Sequence, residues 1–93
     1  MMKMLISLDE GKILSEGKYD INKINQYLKE LFENNGMKKA NDGWYCNGSF
    51  TACGSIIIKL SQADWFMDNV REWLWYDSDD ESTEDLKAHY QKR

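Results

Sequence analysis

The chain has 93 residues, of which 42% are hydrophobic and 13% aromatic, and its formal net charge is −4. This composition is typical of one small globular domain over residues 1–93 and excludes a disordered acidic tail. The first residues lack the apolar core of a signal peptide, and no stretch approaches the roughly 20 apolar residues of a membrane span. We therefore expect a cytoplasmic protein with reduced cysteines and no membrane partner.

The first third of the chain predicts a strand followed by a helix. The apolar run Met4–Leu8 predicts the first strand, which Ile13 and Leu14 could extend beyond a turn. Asp20 is placed to cap a helix, because apolar residues follow it at helical spacing from Ile21 to Phe32. Asn35-Gly36 then predicts the end of this helix.

The middle of the chain predicts two further strands. Residues 37–46 predict a second strand that is broken by a turn at Asn41-Asp42-Gly43. Trp44 and Tyr45 alternate along it, so one should face the core and the other should face outwards. Residues 50–60 contain a β-branched isoleucine run and predict the third strand.

The last third predicts a second main helix and a short C-terminal one. Ser61–Asp64 has the form of a capping box, and the helix should run to about Tyr76. Its apolar face should pack on a sheet that carries Ile56 or Ile58; the residues of that face are Phe66, Val70, Trp73 and Leu74. Ser82–Asp85 could cap the final helix, which would end at Tyr90.

The predicted order β-α-β-β-α, with the short C-terminal helix, favours an α+β fold. A small antiparallel sheet of about three strands would be packed by two main helices.

Negative charge is concentrated in the last third of the chain. Residues 1–63 carry a net charge of +1, whereas residues 64–93 carry −5. Asp64, Asp68 and Glu72 recur every four residues, which on a helix would place their carboxylates about 6 Å apart on one face. Like charges at this spacing repel, and the spacing is close to that of phosphates along a nucleic-acid strand. This pattern predicts a surface that binds a basic protein partner.

The acidic segment continues through Asp77, Asp79 and Asp80 and is interleaved with tryptophans. Trp65 and Trp75 point away from the centre of the predicted helical face and are therefore candidate interface anchors. Direct binding to nucleic acid is disfavoured, since that affinity comes mainly from Lys and Arg meeting phosphates. The alternative interpretation is that the acids only keep a tryptophan-rich domain soluble.

The sequence contains only weak candidates for a metal site or a catalytic site. Cys46, Cys53 and His89 could join one carboxylate at zinc, but six residues separate the cysteines and structural zinc sites use closer pairs. Two small buried thiols on a hairpin are the alternative. His89 falls in the last predicted turn, a poor position for a catalytic base, and the glycines form no phosphate-binding pattern. We therefore predict a non-enzymatic protein without a cofactor.

In length, charge and acid-plus-aromatic surface, the chain resembles the small acidic inhibitors of phages and mobile elements, in particular those of the anti-CRISPR type. The resemblance implies an inhibitor that docks on a basic groove of a nucleic-acid-handling protein, such as a CRISPR effector nuclease. It assigns no role to an individual residue. The alternative is a small structural adaptor or homodimerisation module of a mobile element.

Overall fold

The computed structural model describes residues 1–91, and the last two residues of the predicted domain lie outside that range. The described chain contains a five-stranded antiparallel sheet in the order β2-β3-β1-β4-β5. Its elements are β1 Met2–Leu8, α1 Glu10–Glu16, α2 Ile21–Asn34, β2 Lys38–Lys39, β3 Tyr45–Gly48, α3 Phe50–Ser61, α4 Asp64–Asn69, β4 Val70–Asp77, β5 Ser82–Asp85 and α5 Leu86–Tyr90. The α+β class is confirmed, but the prediction of about three strands and two main helices was too simple.

The two faces of the sheet differ sharply in burial. Residues opposite each other on antiparallel strands share a face, and β1 pairs with β4 from Met2↔Asp77 to Leu8↔Val70. On one face, Met4 and Trp73 are fully buried beneath the helices. The other face, here called the outer face, has no buried residue at the β1 and β4 positions Lys3, Leu5, Ser7, Glu72, Leu74 and Tyr76.

Ring contacts show how the helices cover the inner face. Phe32 of α2 stacks on Tyr45 of β3 with ring centroids 3.8 Å apart. Phe66 of α4 meets Trp73 edge-on at 5.0 Å, and Tyr90 of α5 stacks on the same indole at 5.8 Å. These aromatic contacts fasten one helical layer to one side of the sheet, as expected for an antiparallel sheet with one packed face.

The prediction of a third strand at residues 50–60 was wrong, because this segment is helix α3. Ser49 caps the helix by accepting a hydrogen bond from the Ala52 N–H at 3.0 Å. The buried side chains recur at helical spacing, and they are Cys53, Ile56, Ile57 and Leu60. Ile58 is 59% exposed, so the isoleucine run reflects one buried helical face and not an alternating strand.

The second main helix was also predicted wrongly, since α4 ends at Asn69 and the chain continues as β4. Pairing with β1 decides this outcome, because seven β1 residues need partners on that side. Phe66, Val70 and Trp73 are buried as predicted, whereas Leu74 is half-buried on the outer face. The capping box does not form, since Ala63 occupies the N-cap position without a side-chain hydrogen bond.

Most of the local structure predicted for the remaining segments is confirmed. Asp20 caps α2, and Gly36 follows the helix with a φ of 80°. The predicted turn at residues 41–43 joins β2 to β3. Ile13 does not extend β1 but lies in α1, and Ser82–Asp85 forms strand β5, from which Asp85 caps α5. Among residues 1–91, no helix has the length and apolar character needed to cross a membrane.

Candidate functional site

The hairpin formed by β4 and β5 carries the densest charge in the chain. Residues 77–85 have the sequence DSDDESTED, with six carboxylates and no Lys or Arg. Asp77 pairs with Ser82, so four residues form the turn, and Glu81 takes a left-handed φ of 52°. Asp77 accepts a hydrogen bond from the Asp79 N–H at 2.9 Å, which shapes the start of the turn. We call residues 77–85 the acidic hairpin.

The charge of the acidic hairpin is poorly compensated within the described chain. Among residues 1–91, the one ion pair joins the Met1 amino group to Asp79 at 3.9 Å, and Asp79 remains 85% exposed. Ser78 and Met1 also exchange hydrogen bonds, which fixes the turn against the start of β1. The other carboxylates are solvated, apart from backbone contacts such as the Ala88 N–H on Asp85. The hairpin is therefore an exposed anionic surface whose turn is hydrogen-bonded to the start of the chain.

An aromatic pair on the outer face lies beside the acidic hairpin. The Lys3 Nζ is 5.5 Å from the Trp44 ring centroid and 5.3 Å from that of Tyr76, so one ammonium interacts with both rings. Trp44 and Tyr76 are half-buried, and Tyr76 directly precedes the hairpin. The predicted alternation at residues 44 and 45 is confirmed, because Tyr45 is buried while Trp44 is turned outwards. Trp44 and Tyr76 were not singled out as interface residues from sequence, although this alternation was a signal for Trp44.

The predicted ladder of Asp64, Asp68 and Glu72 on one helix face was wrong. Asp64 and Asp68 lie on α4, whereas Glu72 lies on β4 opposite Ser7 on the outer face. β4 has eight residues at about 3.3 Å each, so its two ends lie roughly 23 Å apart. The fold therefore splits the acidic segment into an α4 pair at one end of β4 and the acidic hairpin at the other.

The two predicted tryptophan anchors pack against the hydrophobic core. Trp65 is half-buried and meets Tyr27 edge-on, with ring centroids 5.5 Å apart. Trp75 lies on the inner face, where its ring is 6.1 Å from Phe50. Among the described residues, the Trp75 indole N–H is buried without a hydrogen-bond partner of regular geometry. Both side chains are half-buried, and their role in binding stays a prediction.

The candidate metal ligands lie in different surroundings. Cys53 is fully buried on α3, Cys46 is half-buried on β3, and His89 is exposed on α5. Within residues 1–91, no three His, Cys, Asp or Glu side chains are grouped so as to hold a metal ion. Burial raises the pKa of the Cys53 thiol, and contact with the Trp75 side chain opposes part of that rise. Cys53 therefore favours its neutral form, which is inert as a nucleophile or ligand.

Comparison of the chain with protein-family models, with curated proteins and with solved structures finds no significant match. The acidic hairpin and the outer face are the candidate functional site.

Proposed function

We propose that this protein is a non-enzymatic inhibitor whose acidic hairpin docks in a basic groove of a nucleic-acid-handling protein, such as a CRISPR effector nuclease. The observation that carries the proposal is the concentration of six carboxylates in residues 77–85, without Lys or Arg among them. A groove that grips a phosphate backbone with Lys and Arg would be attracted to this surface. Docking there would exclude the nucleic acid from its own site.

The outer face supports the proposal by supplying apolar contact next to the charge. Interfaces combine a desolvated aromatic centre with a polar rim, and Tyr and Trp are frequent energetic anchors. Trp44 and Tyr76 would form such a centre, with the acidic hairpin as its rim. Lys3 lies between the two rings, which limits their freedom before binding and so lowers the entropic cost of docking.

The experiment measures DNA cleavage by purified RNA-guided nucleases with increasing amounts of this protein. The test variant neutralises the hairpin with Asp79→Asn, Asp80→Asn and Glu81→Gln. The matched control removes the same charge from the sequence-predicted ladder with Asp64→Asn, Asp68→Asn and Glu72→Gln. We expect the hairpin variant to lose at least about tenfold in inhibitory potency, equivalent to about 1.4 kcal/mol, and the control to stay within about twofold of the original protein.

Changing the salt concentration and substituting aromatic residues test the same proposal further. Inhibition should weaken as salt rises from about 50 mM to about 200 mM, because exposed charges are screened. Trp44→Ala should weaken inhibition by roughly 1–4 kcal/mol if the ring is an anchor. Trp65→Ala tests one of the two tryptophans that the sequence predicts as anchors. No inhibition of any nuclease in the panel would refute the nuclease target. Equal potency of the two triple variants would show that the hairpin is not the docking surface.

A homodimerisation module is the second candidate, favoured by the apolar pair on the outer face. Leu5 and Leu74 are direct cross-strand partners on that face, and both are only half-buried. A second copy could cover them. Sedimentation equilibrium would then give a dimer mass that Leu74→Glu reduces to the monomer mass, whereas a monomer at all concentrations would exclude this function.

A further inference from the structure

A groove separate from the acidic hairpin runs between α2 and the end of the sheet. Its volume is about 790 Å³, within the usual range for small-ligand sites. One wall is β1 from Ile6 to Leu8, the other is α2 from Asn25 to Glu33, and Lys38 and Lys39 of β2 also line the groove. Eight helical steps span about 12 Å, which accommodates an extended peptide of about four residues.

The β1 wall of this groove is a strand edge without a strand beside it in the described chain. The register of β1 with β3 ends at Met4↔Tyr45, whereas the register of β1 with β4 continues to Leu8↔Val70. Residues 6–8 of β1 are therefore paired on one side and border the groove on the other. A strand edge of this kind is a template for the main chain of an added segment.

Three of the residues that line the groove are apolar and buried, and we call them its floor. They are Leu8, Leu28 and Tyr45, and each is at most 9% exposed. The Tyr45 ring stacks on Phe32 at 3.8 Å with an interplanar angle of 10°, so its position is fixed by the core. Such a floor suits an apolar side chain on an extended segment, because alternate side chains of a strand point to one face.

Charge in the groove differs in sign from the charge of the whole chain. Lys29, Lys38 and Lys39 line it together with Glu10 and Glu33, giving +1 in a chain of net charge −4. The two β2 lysines are neighbours in sequence and both line the groove, and the Lys39 Nζ is 5.8 Å from the Tyr45 ring. Glu33 already acts on Tyr45, since its charge adds to burial in raising the pKa of that phenol. The lining that β2 contributes is therefore cationic and suits an anionic side chain.

We propose that the groove binds an extended peptide, with alternating acidic and apolar residues, as an added strand on β1. Its main chain would pair with residues 6–8, an apolar side chain would rest on Leu28 and Tyr45, and an acid would meet Lys38 and Lys39. The proposal is independent of the acidic hairpin, which lies at the opposite end of β4 from Leu8.

The experiment titrates the protein into a fluorescein-labelled, acetylated and amidated peptide, Glu-Val-Glu-Val-Glu, and follows anisotropy. Two further peptides carry N-methyl groups on the odd or on the even amides. Because a strand pairs with one neighbour through alternate residues only, we expect one methylation pattern to abolish binding and the other to preserve it. Amide chemical shifts of residues 6–8 should move in the same titration.

Matched charge variants test the proposed orientation. Lys38→Glu with Lys39→Glu should weaken binding of the acidic peptide by about tenfold. Lys23→Glu with Lys59→Glu makes the same change in charge on exposed positions away from the groove and should leave binding within about twofold. No binding of the acidic peptide, equal binding of both methylated peptides, or equal binding of Lys-Val-Lys-Val-Lys would each overturn the proposal.

Discussion

Trp73 donates its indole N–H to the Met4 sulfur at 3.3 Å, and both side chains are fully buried although 69 residues separate them in sequence. They lie on adjacent strands of the inner face, where Met4 is opposite Trp75 and Trp73 is opposite Ile6. This contact joins the first strand to the fourth. It also explains why residues 70–77 form a strand, because a tryptophan here fills the space between the sheet and both α4 and α5.

We expect Trp73→Ala to destabilise the protein by about 3–5 kcal/mol, because it leaves a cavity at the centre of the core. Trp44→Ala removes the same side chain from the half-buried outer face and should cost about 1 kcal/mol. Urea unfolding followed by far-UV circular dichroism measures both variants. Equal losses would contradict the assignment of the inner and outer faces.

Two glycine-to-alanine substitutions should change the stability of the protein in opposite directions. A Cβ at Gly48 would lie 2.7 Å from the Cys53 sulfur and 2.8 Å from the Met37 methyl carbon, so Gly48→Ala should cost about 1–3 kcal/mol through overpacking. A Cβ at Gly54 meets nothing within 4 Å, and Gly54 is inside α3. Gly54→Ala should therefore stabilise by up to about 1 kcal/mol. Thermal melting of the two variants checks the close approach of β3 to α3.

The stability of the protein should fall at alkaline pH, because the buried Tyr45 phenol and Cys53 thiol have raised pKa values. Burial raises the pKa of Tyr45 above 10.0, with help from the charge of Glu33, and burial raises that of Cys53 above 9.0. The stability that these two groups contribute is fully present while the pH is below their ordinary pKa values. As the pH rises past them, the unfolded chain loses protons that the folded state retains, so the free energy of unfolding decreases.

Urea unfolding at several pH values between about 7 and 10.5 measures this slope. Tyr45→Phe keeps the stacked ring and Cys53→Ala removes the thiol, so each should make the decrease shallower. Tyr19→Phe is the matched control, because it removes a phenol from a tyrosine that is 41% exposed. A slope that neither core variant changes would show that other groups cause the decrease.

A single glycine at position 81, in the turn of the acidic hairpin, should make the protein more stable. Glu81 adopts a left-handed φ of 52°, a conformation that is unfavourable for residues with a Cβ, and it is surrounded by other carboxylates. Glu81→Gly should raise stability by about 0.5–1 kcal/mol. Glu81→Gln relieves charge only, so the difference between the two melting curves isolates the backbone effect. A lower melting temperature for Glu81→Gly than for Glu81→Gln would contradict the turn geometry.

Short-range features were predictable from sequence where the physics is local. The Asp20 cap, the stop at residues 35–36 and the turn at residues 41–43 depend on side chains that bond their own neighbourhood, and all three are present. The excess of acid in residues 64–93 is likewise a property of composition. The inward Tyr45 and outward Trp44 followed from the two-residue period of a strand.

Pairing partners were decided by tertiary structure. Phe66, Val70 and Trp73 have helical spacing, but β4 forms because β1 offers a row of main-chain groups and a pocket for Trp73. The isoleucine run of residues 56–58 has high β-propensity, but the Ser49 cap and one buried face make it helical. In the first segment pairing with β1 outweighs the helical spacing, and in the second a local cap and one buried face outweigh the β-propensity. The sequence alone therefore determined how much negative charge the chain carries, whereas the change from α4 to β4 decided that this charge lies in two separate places.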